Sequence, residues 1–147
     1  MTASQFTTCE LAWTVAAGDA TAIPALLHDL HPSVVAYCRA RARAAGGTFA
    51  EADRLALEAC RAILAELASP TGADRPFLRL AYTVVAEAAD AEFAVAGAVR
   101  LTRIQQEILI LRTIVGLDSQ QTAVALAVAP GRVGVEQHVA LTFLRAA

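Results

Sequence analysis

From Leu101 to Ala147 the chain reads LTRIQQEILILRTIVGLDSQQTAVALAVAPGRVGVEQHVALTFLRAA. Leu101, Ile104, Ile108, Leu111 and Val115 recur at helical spacing, and Ile110 and Ile114 widen the same apolar stripe. Gly116-Leu117 interrupts this run, after which a short helix over 119–127, a turn and a final helix over 131–145 are predicted. That order is a helix-turn-helix, a motif whose last helix enters the major groove of DNA. Such a helix needs Arg, Lys, Asn or Gln toward base edges and cations toward phosphates. From Leu117 onward, however, Asp118 and Glu136 cancel Arg132 and Arg145. The architecture is that of a DNA reader; the surface chemistry is not.

The chain's 147 residues suffice for one moderate domain or two very small ones, and 56% are hydrophobic, which excludes a disordered polypeptide. Mean hydropathy is +0.49, much of it from alanine, a strong helix former that buries little area. No uncharged apolar run is long enough to span a membrane. The opening MTASQFTTCELAW lacks the basic segment and apolar core of a signal peptide, so a cytoplasmic location is expected. Net charge is −2 and all twelve basic residues are arginine, a weak balance for a protein that relies on phosphate contacts.

Nearly every segment has helical periodicity, predicting an all-α fold with helices over 7–17, 20–30, 33–45, 51–68, 75–96, 101–115, 119–127 and 131–145. Asp19 and Thr21 are good caps for the second helix, and Pro24 is tolerable only near its start. Gly46-Gly47 and Ser69-Pro70-Thr71-Gly72 signal loops. Gly97 closes an N-terminal block and Leu101 opens the next helix almost at once, giving a division at 1–97 and 98–147 with nearly no linker. So short a link forces the two blocks against each other or onto a continuous surface. In the last helix Val133, Gln137, Ala140 and Leu144 form the expected core side. Arg132, Glu136, Val139 and Phe143 form the opposite side.

The chain resembles the extracytoplasmic-function sigma factors of bacterial RNA polymerase, most closely their sigma-D-like actinobacterial branch. AAGDATAIPALL followed by HPSVVAYCRAR resembles the opening of the family's region 2. EADRLALEACRAILAEL is similar to its helix that binds the polymerase clamp, and RPFLRLAYTVVAEAADAEF to the helix that melts and reads the downstream promoter element. QQEILILR with VGL, and the helix-turn-helix around it, resembles region 4, which reads the upstream element. The resemblance thus implies a region 2 helical bundle followed directly by a region 4 helix-turn-helix.

The departures from the family pattern bear on function. In the clamp-binding helix Asp53 and Glu58 stand where the family has acids, but Arg54 takes the second acid position and Leu57 the glutamine position. A reversed charge at an interface costs several kcal/mol when like charges meet. Between Glu87 and Val99 the chain offers Glu87, Asp90 and Glu92 and no arginine, leaving Phe93 as the one candidate stacking platform and a segment expected to repel DNA. The family has basic residues near the positions of Gly134, Glu136 and Val139. Arg132, Gln137, His138 and Arg145 remain as groups able to touch a duplex. Val139 and Phe143, with Val135, form an apolar patch that suits a protein partner, or else packs onto the N-terminal block. The family's long interdomain linker is missing, and without it two domains cannot reach separated promoter elements.

These features predict a sigma-like regulator of transcription acting through RNA polymerase, a sigma factor or an anti-sigma factor, with a homodimer also open. The alternative is a working minimal sigma factor or helix-turn-helix DNA binder. No Gly-rich phosphate loop, nucleophile elbow or H-E-x-x-H appears, which argues against an enzyme. Cys9, Cys38 and Cys60 are far apart and lack metal spacing, and His28 and His31 before Pro32 read as a helix end. Neither a metal nor a cofactor is expected.

Overall fold

Capping residues set the helix starts. Thr48 Oγ1 accepts from the Glu51 N–H at 3.1 Å while the Glu51 carboxylate accepts from the Thr48 N–H at 3.0 Å, which opens α3 (Phe49–Ala68). The same reciprocal pairing of Thr102 with Gln105 opens α5 (Arg103–Leu109), and that of Asp118 with Gln121 opens α6 (Ser119–Leu126). The computed structural model describes residues 3–93 and 101–146. Before α3 lie α1 (Ala3–Ala16), a 3-10 turn (Ala20–Ala22) capped by Asp19, and α2 (Ile23–Ala45) with Pro24 in its first turn. Then come α4 (Phe77–Glu92) and, last, α7 (Pro130–Ala146). The junction expected at 97–101 lies largely outside the described residues, as does the helix end expected at 94–96.

Three expectations change. The helices expected over 20–30 and 33–45 are one, because α2 runs through Pro32. Proline removes one backbone hydrogen bond, but Leu30, Val34, Tyr37 and Cys38 on either side are all buried, and that packing outweighs the local break. The helix expected over 75–96 ends at Glu92, with Phe93 in an extended conformation. The helix expected over 101–115 changes type: after α5 the backbone widens into a π-turn over Ile110–Val115, closed by Gly116 at φ +90°. The wider turn rotates the stripe, so Ile114 is 55% exposed instead of buried.

The main core joins α1, α2, α3 and α4 through Ala12, Leu26, Val34, Leu55, Ile63, Leu80 and Val85. It also takes in Leu111 of the π-turn that follows α5, Leu117 of the loop before α6, and Ala125 of α6. Burial of Leu111 and Leu117 contributes about 2 kcal/mol each, so apolar contact holds this part of the chain onto the preceding helices. Arg79 Nε adds a hydrogen bond across the seam to the Val124 carbonyl at 3.2 Å, fixing α6 on α4. A smaller cluster of Ile108, Ala123 and Val133, flanked by Ile104, Leu126 and Val128, binds α5, α6 and α7 to one another. Among the described residues no helix is long and apolar enough to cross a membrane.

Candidate functional site

Asp53, Arg54, Leu57 and Glu58 lie together on α3, and each of the three charges has a partner. Asp53 is bound in a two-point grip by Arg39, Nε and Nη2 each donating at 2.8 Å, and this hydrogen bonding holds the Asp53 carboxyl below its usual range. Arg39 also stacks over Phe49, 4.8 Å from the ring centroid. Arg54 reaches Glu58 at 3.2 Å and Glu92 at 2.7 Å, tying α3 to the end of α4. Leu57, on the same helix, is 52% exposed. It borders an open groove of about 600 Å³ shared with His28, His31 and Cys60. Among the described residues no three His, Cys, Asp or Glu side chains are placed to hold a metal ion. Burial pushes the Cys60 thiol up to about 11 and the Cys38 thiol up to about 12, so both behave as core groups.

On α4 the structure corrects two expectations. Phe93 is no stacking platform: it is 4% exposed and lies so near Gly47 that a Cβ there would sit 2.9 Å from its ring. Asp90 and Glu92 are not bare repulsive charges, since Glu92 is held by Arg54 and Asp90 by two guanidiniums. Arg41 Nη2 donates to Asp90 at 2.6 Å and Arg103 Nη2 at 2.8 Å. Burial alone would raise the Asp90 carboxyl, but the bonds from Arg103 and Arg41 outweigh it and hold it below its usual range.

The same two arginines meet Glu107 of α5. Arg103 Nε lies 3.3 Å and Arg41 Nη1 3.5 Å from Glu107 Oε1, while Tyr37 Oη donates to the same carboxylate at 2.8 Å. Arg41 Nη1 in turn donates to Tyr37 Oη at 2.9 Å. A ring of alternating charge, Arg41, Asp90, Arg103, Glu107, therefore joins α2, α4 and α5. The sequence reading did not find it. Its signals were two i,i+4 pairs, Tyr37 with Arg41 and Arg103 with Glu107, and an acid inside the apolar stretch of α5.

On α7, Val133 and Ala140 are buried as expected, but Leu144 is 47% exposed. Val135 at 61%, Val139 at 46% and Phe143 at 40% are open to solvent, so the apolar patch is not packed onto the N-terminal block. Arg132, His138 and Arg145 are exposed and Glu136 is half-buried. Gln137 is engaged inward, accepting from Arg112 Nε at 3.1 Å, which withdraws it from the set of candidate duplex contacts. The outward face of α7 is therefore aliphatic and aromatic at its centre, with cations only at its margins.

The chain is similar to two groups of curated sequences and to one solved structure. The chain is 34% identical to the ECF RNA polymerase sigma factor SigD of Mycobacterium tuberculosis, in an alignment of 166 positions covering 88% of this chain and 78% of the relative. It is 29% identical to the ECF RNA polymerase sigma factor ShbA of Streptomyces griseus over 88% of each chain. Both alignments exceed 147 positions, so the relatives carry inserted residues that this chain lacks. Among solved structures, CnrH in complex with the cytosolic domain of CnrY matches in fold with a TM-score of 0.63 and 24% identity, over 92% of this chain and 93% of that one. No family model matches the chain.

Proposed function

We propose a mode of action that starts from membership: the chain belongs to the extracytoplasmic-function sigma factors of bacterial RNA polymerase. It is a transcription regulator, not an enzyme. Within that family we assign it a role exerted through protein contacts, with promoter reading weak or lost. The observation that carries this is the outward face of α7, where Val135, Val139 and Phe143 stand exposed in the helix that resembles the family's promoter reader. Exposed apolar groups at successive turns of one helix favour a protein partner over phosphate.

The division into a region 2-like block, 1–97, and a region 4-like block, 98–147, is part of the proposal. The separate cluster of Ile108, Ala123 and Val133 supports it. Two faces are assigned to partners: Asp53, Arg54, Leu57 and Glu58 on α3 toward polymerase, and Arg132, Glu136, His138, Val139, Phe143 and Arg145 on α7 toward a sigma or anti-sigma protein. CnrH, which shares the fold, is held by another protein, the cytosolic domain of CnrY. That precedent supports a protein partner here.

The exposed Arg132, His138 and Arg145 favour a second reading, direct duplex binding. The two separate cleanly. Affinity capture with core polymerase and with sigma and anti-sigma proteins should recover at least one of them. Titration with promoter duplex should show no complex at physiological salt. A salt-sensitive complex weakened by Arg132→Ala would overturn the protein-contact reading.

A further inference from the structure

Trp13 stands 66% exposed on α1, and it does not lie on a flat surface. It walls an open groove of about 480 Å³, a size that suits a small organic molecule. Pro76, Phe77 and Leu78 around the start of α4 and Val124 of α6 supply the other apolar walls. Gln121 of α6 lines the same groove and is itself only 3% exposed. Its Oε1 accepts from the Asp118 N–H at 2.9 Å, which fixes the orientation of the amide. The other end, Nε2, is buried without a hydrogen-bond partner among the described residues.

Buried donors in native folds are almost always satisfied, so an unpaired one calls for an explanation. Capping does not supply it. A glutamate serves as well as a glutamine at the third position of a capping box, and it would leave no donor unpaired. Nε2 is therefore a hydrogen-bond donor that the fold itself does not use, in a side chain that lines an apolar groove. The charges of the lining narrow what can meet it. Two acids, Asp74 and Asp118, stand against one base, Arg75, which is already drawn to Glu66 at 3.7 Å. That balance disfavours an anion, so the acceptor that fits is a neutral carbonyl oxygen and not a carboxylate. The indole of Trp13 beside Pro76 suits a flat ring.

We propose that this groove binds a small neutral molecule with a flat aromatic body and a carboxamide or ketone oxygen. The ring packs against Trp13 and Pro76, and the oxygen accepts from Gln121 Nε2. The site shares no residue with the outward face of α7 and goes beyond the role proposed for that face.

Amide NMR on the full chain tests the site with indole-3-carboxamide as the probe. Two compounds with the same ring serve for comparison: 3-methylindole lacks the oxygen, and indole-3-carboxylate carries an anion in its place. Trp13 is the one tryptophan of the sequence, so its indole N–H signal reports on the wall, while the Gln121 side-chain amide reports on the donor. The carboxamide should shift both signals with a Kd of about 1 mM or tighter. Each comparison compound should bind about tenfold more weakly, as expected for one lost hydrogen bond in a water-poor groove. Trp13→Ala, at an exposed position, should weaken carboxamide binding by about tenfold, read at Gln121. Gln121→Met should bring the affinities for carboxamide and 3-methylindole together, read at Trp13. Should the loss of the cap unfold that variant, Trp13→Ala and the three-compound comparison in the parent chain still decide. No shift at either signal up to about 5 mM carboxamide, equal affinity for all three compounds, or tighter binding of the carboxylate would overturn the site. Each of these results leaves the assignment of α7 to a protein partner standing.

Discussion

Tyr37 Oη lies 2.8 Å from Glu107 Oε1 across 70 residues of sequence, joining α2 to α5 at a carboxylate that is itself buried. The bond is charge-assisted, and Tyr37 Oη also accepts from Arg41, so the phenol organises both halves of the ring. Tyr37→Phe keeps the ring's aromatic volume and removes only the hydroxyl. Hydrogen bonds to charged groups contribute about 1.5–3 kcal/mol, and a loss of about 2 kcal/mol is expected. Urea denaturation should show a lower midpoint at unchanged slope. An unchanged midpoint would mean the phenol is neutral to stability.

Burial raises the Glu107 carboxyl above its usual range in spite of the opposing influence of Tyr37, Arg41 and Arg103. The folded chain therefore binds this proton more tightly than the unfolded chain. The stability it contributes is full below the ordinary glutamate range and falls as pH rises through the folded value. Asp90, held below its usual range, acts in the opposite sense: its contribution is present above that range and is lost as pH falls. Glu107→Gln should thus flatten the decline of stability that sets in as pH rises above the ordinary glutamate range, while leaving the acid limb intact. Denaturation curves measured across pH decide this, and an identical slope in the variant would sink it.

Much of the fold was legible because it rests on periodicity and caps, and these are local. The stripe at Leu101, Ile104, Ile108 and Leu111, and Val133 with Ala140, placed the C-terminal helices correctly. Pro32 misled because a proline in isolation reads as a break, whereas burial of Leu30 and Val34 around it is a tertiary effect. The π-turn misled for a related reason: one extra residue in a turn moves Ile114 outward without leaving a trace in composition. The exposed α7 patch was visible as missing cations. The ion ring was not, since its members come from α2, α4 and α5 and their pairing exists only after the helices pack.

Ala127 ends α6 at φ +57°, the one non-glycine residue with positive φ among those described. A Cβ in this left-handed conformation costs about 1–2 kcal/mol, part of which glycine would return as unfolded-chain entropy. Ala127→Gly should stabilise the chain by roughly 0.5–1 kcal/mol. Thermal unfolding should shift upward by a few degrees; a downward shift would show that the methyl contributes packing that outweighs the strain.

Gly72 meets the opposite constraint. A Cβ at this position would lie 2.2 Å from the Leu67 carbonyl oxygen and 2.6 Å from that of Glu66, both backbone atoms at the end of α3. Rotation of a side chain cannot relieve such a clash, so the 69–76 turn must move off α3. Gly72→Ala should cost on the order of 2–4 kcal/mol, at the large end for single substitutions. A loss below about 0.5 kcal/mol, the ordinary surface range, would mean that the turn is free to shift.

Val139 and Phe143 separate the two readings of α7 through charge. Phe143→Ser removes apolar area from the outward face and leaves net charge untouched, so a helix that binds phosphate should scarcely notice it. A helix that binds a protein should lose affinity by tenfold or more if Phe143 is a central contact. Val139→Asp removes area and adds an acid, weakening either kind of partner. The diagnostic comparison is therefore Phe143→Ser against Arg132→Ala, scored on captured protein and on promoter duplex in parallel. Phe143 is already 40% exposed, so stability should change by no more than about 0.5 kcal/mol and a folding defect should not cloud the result. Loss of protein capture in Phe143→Ser with capture retained in Arg132→Ala is the expected pattern. The reverse pattern on duplex DNA would return α7 to promoter reading.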